Sequence, residues 1–276
     1  MWFKPSSDAE PIGLIAGAGD FPTLLAETAH SLHKKIIVIG LRGCVNPAIE
    51  RFATQMHTIE LGAADELVKL LKFHKIKKVI LAGGVPKKEM YNPSSTLDDT
   101  AKSIIKKTSN RGDDHLLKAF QIFLKIKCGV SVIDSRVFLK DALSPKGVLT
   151  RRKPTETEMS DLKFGWHIAK GIGKMDIGQT VAIKDQVVLA VEAIEGTNAA
   201  IRRANELSGG GAVIVKAVKP NQDLKFDLPC VGIETLEVMK ASGSHVLGIE
   251  AGKTLMLFKS QFLEKADQEN FTIVGL

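Results

Sequence analysis

Short apolar runs alternate with amphipathic stretches through the first half of the chain. IGLIA (12–16) reads as a strand, and FPTLLAETAHSLH after it carries a helical pattern. KKIIVIG (34–40) reads as a second strand. MHTIEL leads into AADELVKLLKFH, where Leu67, Leu70 and Leu71 fall on one helical face. KKVILAG follows as a further strand. GDDHLLKAFQIFLKI is a helix with acids in its first turn, where the helix dipole favours them, and GVSVIDS closes the series. Strand, helix, strand at this spacing predicts a parallel sheet covered on both faces, a Rossmann-like domain.

The pattern changes at 141–160. DALSPKGVLTRRKPTETEMS holds two prolines, many charges and few apolar residues. It reads as a boundary, giving an N-terminal domain over 1–150 and a C-terminal domain over 151–276. In the second half TVAIK and QVVLAVEAI flank Asp185 as an antiparallel hairpin, although its turn is not of the strong Asn-Gly type. Thr197 is read as the N-cap of a helix over NAAIRRANEL. GAVIVKAV and CVGIE are strands, TLEVMKAS is a helix, and HVLGIEAG and LMLF are further short strands. The expectation is a mixed α/β domain.

A chain of 276 residues fits one large or two modest domains. The net charge of +7 favours anionic partners: phosphates, nucleic acid or an acidic membrane face. With one Tyr, two Trp and no basic segment interleaved with aromatics, stacking platforms for single strands are poorly supplied, and no nucleic-acid partner is expected. Cys44, Cys128 and Cys230 lie far apart and read as reduced thiols, neither a disulfide framework nor a zinc site. His30 and His33 share a helix face near its end and read as solvated. No apolar run approaches the roughly 18–20 residues that span a bilayer. MWFKPSSDAE lacks the apolar core of a secretory signal, so a short floppy lead-in and a cytoplasmic location are expected.

The turn after the first strand invites a dinucleotide reading and does not satisfy it. Gly17 and Gly19 fit G-x-G-x-x-G, but Pro22 stands where the third glycine belongs. The second strand ends Ile39-Gly40-Leu41-Arg42, with no acid for ribose hydroxyls. The backbone N–H groups of the Gly17–Gly19 turn still suit an anion or polar headgroup. GIEAGKT (248–254) has three residues between glycines where a P-loop needs four. RGDDH (111–115) lacks the Gly-Asn-His partner motif of a two-metal phosphoesterase.

Charges that break the apolar pattern carry the chemistry. Glu192 reads as lying inside an apolar strand, and a buried carboxylate is costly unless paired or metal-bound. Glu195 and Thr197 follow at the strand-to-helix turn. Lys216 sits within another apolar strand and Lys219 just past it. Pro220, Gln222, Asp223, Lys225 and Asp227 come next. Two ammonium groups at a strand end suit a diphosphate. Asp223 and Asp227 suit Mg²⁺, which takes one or two carboxylates plus water and substrate oxygens. A plain lysine–aspartate salt-bridge loop is the structural alternative.

GLIAGAGDFP, the GDD at 112–114, DIGQTVAI, VLAVEAIEGTNA, VKAVKPNQDLKFDLPCVGIET and GIEAGKTL, in this order, resemble the UDP-2,3-diacylglucosamine diphosphatase family of lipid A synthesis. This is the type unrelated to metallophosphoesterases, and the resemblance spans almost the entire chain. It implies a Mg²⁺-dependent enzyme at the cytoplasmic membrane face. The products would be UMP and 2,3-diacylglucosamine 1-phosphate, with the ligand between two domains and attack on the sugar-side phosphorus. The catalytic aspartate of the family's FDLP segment falls on Asp227, its KPxQD segment on Lys219, Pro220, Gln222 and Asp223, and its EGTD on Glu195, Gly196, Thr197 and Asn198. Asn198 replaces an aspartate, Lys225 stands where arginine is expected, and Lys87 and Lys88 stand where an arginine is more usual.

The combined expectation makes Asp227, Asp223, Lys216, Lys219 and Glu192 catalytic, with Asp227 and Asp223 the Mg²⁺ ligands. Gly17, Gly19, Asp20, Phe21, Gly83, Gly84, Asp113, Asp114, Glu195, Thr197 and Gln222 contact the substrate. The partners are a lipid-linked nucleotide sugar and, transiently, the inner-membrane surface, which attracts a basic protein without burying it. A symmetric homodimer is the default assembly. Two rivals remain at this point: a Rossmann-like NAD(P)-dependent oxidoreductase, and a non-enzymatic basic protein that binds nucleic acid.

Overall fold

The computed structural model describes residues 10–85, 97–106, 113–220, 222–225 and 228–276, the side chains of 113–115 excepted. The chain divides into two compact units, Met1–Leu139 with Asp223–Asp227, and Lys140–Gln222 with Leu228–Leu276.

In the first unit, β1 (Ile12–Ala16) leads into α1 (Phe21–Ser31), then β2 (Ile36–Leu41) and β3 (Gln55–Ile59). α2 (Ala64–Phe73), β4 (Lys78–Ala82), α3 (Asp99–Lys106), α4 (Asp113–Cys128), β5 (Ser131–Val132) and the single turn α5 (Arg136–Leu139) follow. The strands form one parallel sheet in the order β3-β2-β1-β4-β5. Alternation along each strand sends side chains to opposite faces. Ile15, Ile37, Ile39, Val79 and Leu81 meet Leu67 and Leu71 of α2 and Leu124 of α4 on one face. α1 packs against α5 and the Pro47–Phe52 turn. The strand order reverses at β1, where β2 lies on one side and β4 on the other, and open sheets of this kind bind ligands beyond the carboxyl ends of their strands there.

The second unit begins with β6 (Gly147–Val148), which the sequence reading places before the boundary but which pairs antiparallel with the last strand. α6 (Glu156–Lys174), β7 (Thr180–Lys184), β8 (Val187–Val191), α7 (Thr197–Ser208) and β9 (Val213–Lys216) come next. β10 (Cys230–Val231), α8 (Ile233–Ser242), β11 (Val246–Ile249), β12 (Leu255–Met256), α9 (Lys259–Gln268) and β13 (Thr272–Gly275) complete it. The sheet is mixed, in the order β6-β13-β11-β9-β7-β8, with β10 and β12 a separate parallel pair. Leu162, Ala169 and Ile172 of α6 cover one face through Val181, Ile183, Val213 and Val215. Ile201, Leu236, Met239 and Phe262 of α7, α8 and α9 cover the other through Ile214, Leu247, Ile249 and Ile273.

The β7–β8 hairpin shows how a weak turn is made firm. Asp185 and Gln186 both have positive φ, 52° and 59°, without a glycine. Their N–H groups donate to the two carboxylate oxygens of the buried Asp161 on α6, at 3.0 and 2.7 Å.

Candidate active site

In the second unit Glu192 lies one residue past β8, a shift from the sequence reading that put it inside the strand. Its N–H donates to the Thr180 carbonyl at 2.9 Å, and the residue is only 9% exposed. The Thr197 hydroxyl donates to Glu192 Oε1 at 2.9 Å. Lys216, the last residue of β9, donates through Nζ to the Cys230 carbonyl at 3.0 Å and reaches Thr197 Oγ1 at 3.5 Å. An ammonium, a hydroxyl and a carboxylate thus stand in a row. The far oxygen, Glu192 Oε2, is buried with no hydrogen-bond partner among the described residues. An unpartnered buried acceptor costs about 1–3 kcal/mol, so this oxygen is the place in the row where a ligand, ion or water gains most.

Thr197 is not the N-cap expected of it. Gly196, at φ 83°, takes that position and no side chain caps the helix. Thr197 is the first helical residue, and its hydroxyl is committed to Glu192. Glu195 turns elsewhere: it pairs with Arg203 at 3.1 Å and accepts the Ala193 N–H at 3.1 Å. Asn198 donates to Glu234 at 2.8 Å.

The turn after β9 is closed on itself. Lys219 N–H donates to Gln222 Oε1 at 3.2 Å, and Gln222 N–H to the Lys219 carbonyl at 3.0 Å. The Lys219 ammonium pairs with Asp176 at 2.7 Å, its side chain 13% exposed. Glu250, at the end of β11 and buried, accepts the Val218 N–H at 2.8 Å, Lys170 Nζ at 2.8 Å and Lys253 Nζ at 2.9 Å. Burial pushes the Glu250 carboxyl up, but these donors more than reverse it and leave the pKa below the usual range.

In the first unit the turns after β1 and β4 interlock. Ala18 N–H donates to Gly84 O at 2.7 Å, and Gly84 N–H returns to Ala18 O at 3.0 Å. A Cβ on Gly17 would lie 2.4 Å from Gly84 O. One on Gly83, which has φ +84°, would lie 2.6 Å from Ala18 O. Only glycine fits at either position. Gly19 stands open, Asp20 precedes α1 without capping it by its side chain, and Phe21 is buried. Arg42, just past β2, is ion-paired with Glu60.

A cavity of about 520 Å³ opens beside these turns at the carboxyl ends of the strands. Its walls include Ile15, Leu41, Leu81, Leu97 and Phe120, and Glu60 is the one charged residue lining it among those described. At the end of β5, Arg136 grips Asp134 through Nε at 3.0 Å and Nη2 at 2.6 Å. Burial raises the Asp134 pKa and the Arg136 fork more than reverses it. Asp223 accepts the Lys225 N–H at 3.1 Å and lies near enough to act on Arg136.

Residues 11–142 match the LpxI N-terminal domain and residues 145–274 the LpxI C-terminal domain. The chain belongs to the LpxI family. The UDP-2,3-diacylglucosamine pyrophosphatase LpxI of Caulobacter vibrioides is 28% identical over 275 residues, covering 96% of this chain and 97% of that protein. Among solved structures, leucoanthocyanidin reductase from Vitis vinifera aligns with a TM-score of 0.26 and 18% identity over 54% of this chain and 38% of that one. The biotin carboxylase domain of Hydrogenobacter thermophilus 2-oxoglutarate carboxylase aligns with a TM-score of 0.29 and 11% identity over 71% of this chain and 40% of that one. Likeness at that level carries no argument about this LpxI family member.

The structure therefore brings Glu192, Thr197 and Lys216 into one hydrogen-bonded row and sets Lys219 and Gln222 in one closed turn. Asp227, Lys87 and Lys88, the N-terminal lead-in through residue 9 and the side chains of Asp113 and Asp114 lie outside the described residues. Among the described residues no three His, Cys, Asp or Glu side chains gather as a metal cage. Mg²⁺ asks for less, one or two carboxylates with water and substrate oxygens, and the unpartnered Glu192 oxygen fits that demand. Sequence reasoning missed Glu250, Lys170, Asp176, Asp134 and Arg136. Glu250 carried a usable signal, since it is a charge directly after the apolar run VLGI, as Glu192 is after VVLAV.

Proposed function

We propose that this LpxI family member hydrolyses the diphosphate of UDP-2,3-diacylglucosamine to UMP and 2,3-diacylglucosamine 1-phosphate in lipid A synthesis, with Mg²⁺, at the cytoplasmic membrane face. The observation that carries the reading is the match of both LpxI domains along nearly the whole chain. The apolar cavity supports it independently. Two acyl chains need a water-free wall, and each CH₂ buried there contributes about 0.8 kcal/mol. A nicotinamide dinucleotide offers no such chains.

Water adds its oxygen to the sugar-side phosphorus, the bond to the bridging oxygen breaks, and UMP leaves with that oxygen and its charge. Lys216 holds an ammonium at the end of β9, fixed by the Cys230 carbonyl, where it stabilises charge growing on phosphoryl oxygens. Lys219, held by Asp176, adds a second cation. Thr197 fixes Glu192 so that its other oxygen accepts from a water or faces a metal. When bound, Mg²⁺ draws charge from the phosphoryl oxygens and lowers the pKa of water. Asp223 and Asp227 are the residues that the sequence reading gives to hold it.

The test is UMP release from UDP-2,3-diacylglucosamine with and without Mg²⁺, for the unmodified protein and for Asp227→Ala. Release that needs Mg²⁺ and is lost in the variant supports the reading. No release from the unmodified protein overturns it, and full activity in Asp227→Ala removes that residue from the chemistry.

A further inference from the structure

Helix α4 has two working faces. Its inner face contributes Leu116, Leu117 and Phe120 to the apolar cavity and buries Leu124 in the core of the first unit. The outward face is not the polar surface that a soluble helix ordinarily presents. Lys118, Ile122, Lys125 and Ile126 recur at i, i+4, i+7 and i+8 and form one exposed stripe, with Lys127 beside it. Ile122 is 57% exposed and Ile126 76%. After Asp114 the helix contains no acid at all.

The neighbouring helix extends the same character. α2 packs on α4, and Lys72 at its end lies close enough to act on Cys128 at the end of α4. Phe73, next to Lys72, is 78% exposed. The exposed acids of α2, Asp65 and Glu66, sit at its opposite end, where Asp65 is engaged with Thr100. Three large apolar side chains are thus held out among lysines. Lysines around solvated apolar anchors match an anionic lipid surface, where the apolar groups enter the headgroup boundary and the ammonium groups meet phosphates.

We propose that the outer face of α4, with the end of α2, docks this protein on an anionic phospholipid surface, with Ile122, Ile126 and Phe73 as apolar anchors and Lys118, Lys125, Lys127 and Lys72 as phosphate contacts. The same helix then touches the bilayer on one side and walls the apolar cavity on the other, so an acyl chain leaving the membrane has a short apolar route. This deepens the hydrolase reading and rests on it for that route, while the docking itself stands on the surface.

Sedimentation of the full-length protein with vesicles tests the docking. Wild type is expected to pellet with equal parts phosphatidylglycerol and phosphatidylcholine, not with phosphatidylcholine alone, and to be released as salt screens the charges. Ile122→Asp with Ile126→Asp should weaken binding about tenfold or more, as should Lys118→Glu with Lys125→Glu. These positions are exposed, so thermal unfolding should stay close to wild type. Retained binding in both double variants, or no vesicle binding by wild type, overturns the proposal. So does light scattering in which wild type is a dimer and the isoleucine variant a monomer, which would make the face a contact between copies. UMP release from detergent-dispersed substrate separates the two readings. Docking without hydrolysis sinks the hydrolase and leaves the surface standing, and hydrolysis without docking does the reverse.

Discussion

Val218 gives its N–H to the buried carboxylate of Glu250 at 2.8 Å, one residue before Lys219. The exit of β9 is therefore held from β11, and with it the turn that presents Lys219 and Gln222. Removing one partner of a buried ion pair costs about 3–5 kcal/mol, so Glu250→Ala is expected to unfold or nearly so. Glu250→Gln keeps the shape and one acceptor and should cost about 1–3 kcal/mol. In that variant kcat for UMP release should fall more than KM rises, measured beside urea unfolding. Unchanged kcat with lowered stability would make Glu250 purely structural.

The same residue sets a pH dependence. Its folded pKa is lowered, so its contribution to stability is fully present above the unfolded value of about 4.3 and is lost as pH falls through the folded value. Unfolding midpoints of wild type should therefore drop below about pH 4 more steeply than those of Glu250→Gln. Parallel curves would count against the ion cluster.

Thr197 joins Lys216 to Glu192 through one hydroxyl. Thr197→Val keeps the volume, removes the donor and leaves Glu192 with neither oxygen satisfied by it. A loss of about 1–3 kcal/mol in transition-state stabilisation corresponds to roughly fivefold to 150-fold in kcat/KM. Thr197→Ser should recover most of it. Equal rates in the valine and serine variants would remove the hydroxyl from the row.

His57 and His74 face each other through Nε2 atoms 2.7 Å apart, tying β3 to the end of α2. Burial, and then the His57 charge, lower the His74 pKa. A group with a depressed folded pKa contributes stability above its unfolded value, about 6.5, and loses it as pH falls. Wild type should lose stability between about pH 7 and pH 5, and His74→Gln should flatten that slope. Urea midpoints at the two pH values decide it.

The interlocked turns allow one more expectation. Gly17→Ala pushes a methyl against Gly84 O, and overpacking of that kind costs about 1–3 kcal/mol. Gly19→Ala meets no atoms but carries φ +91°, so its cost is backbone strain of about 1 kcal/mol. Thermal unfolding of the two variants should rank Gly17→Ala as the less stable.

Much of the fold could be read from periodicity because the parallel strands are buried on both faces and appear as unbroken apolar runs. Ile12–Ala16 is the strand that its sequence predicts, residue for residue. The sequence reading has no helix at α6 because TETEMS falls within its boundary stretch. Its signal was a capping box: Thr155 Oγ1 accepts the Glu158 N–H at 3.2 Å and Glu158 Oε2 accepts the Thr155 N–H at 2.9 Å. Charges breaking apolar runs did mark Glu192 and Lys216. The partners that give them meaning, such as Asp176 for Lys219, sit at ordinary polar positions about forty residues away, a pairing no local pattern encodes.

Asp161 makes the hairpin's turn depend on tertiary packing. Its two turn amides are answered only while α6 is docked beside them. The amide protons of Asp185 and Gln186 should then exchange at a rate that reports helix docking, and Asp161→Asn should loosen the hairpin while its strands keep every apolar residue they have now.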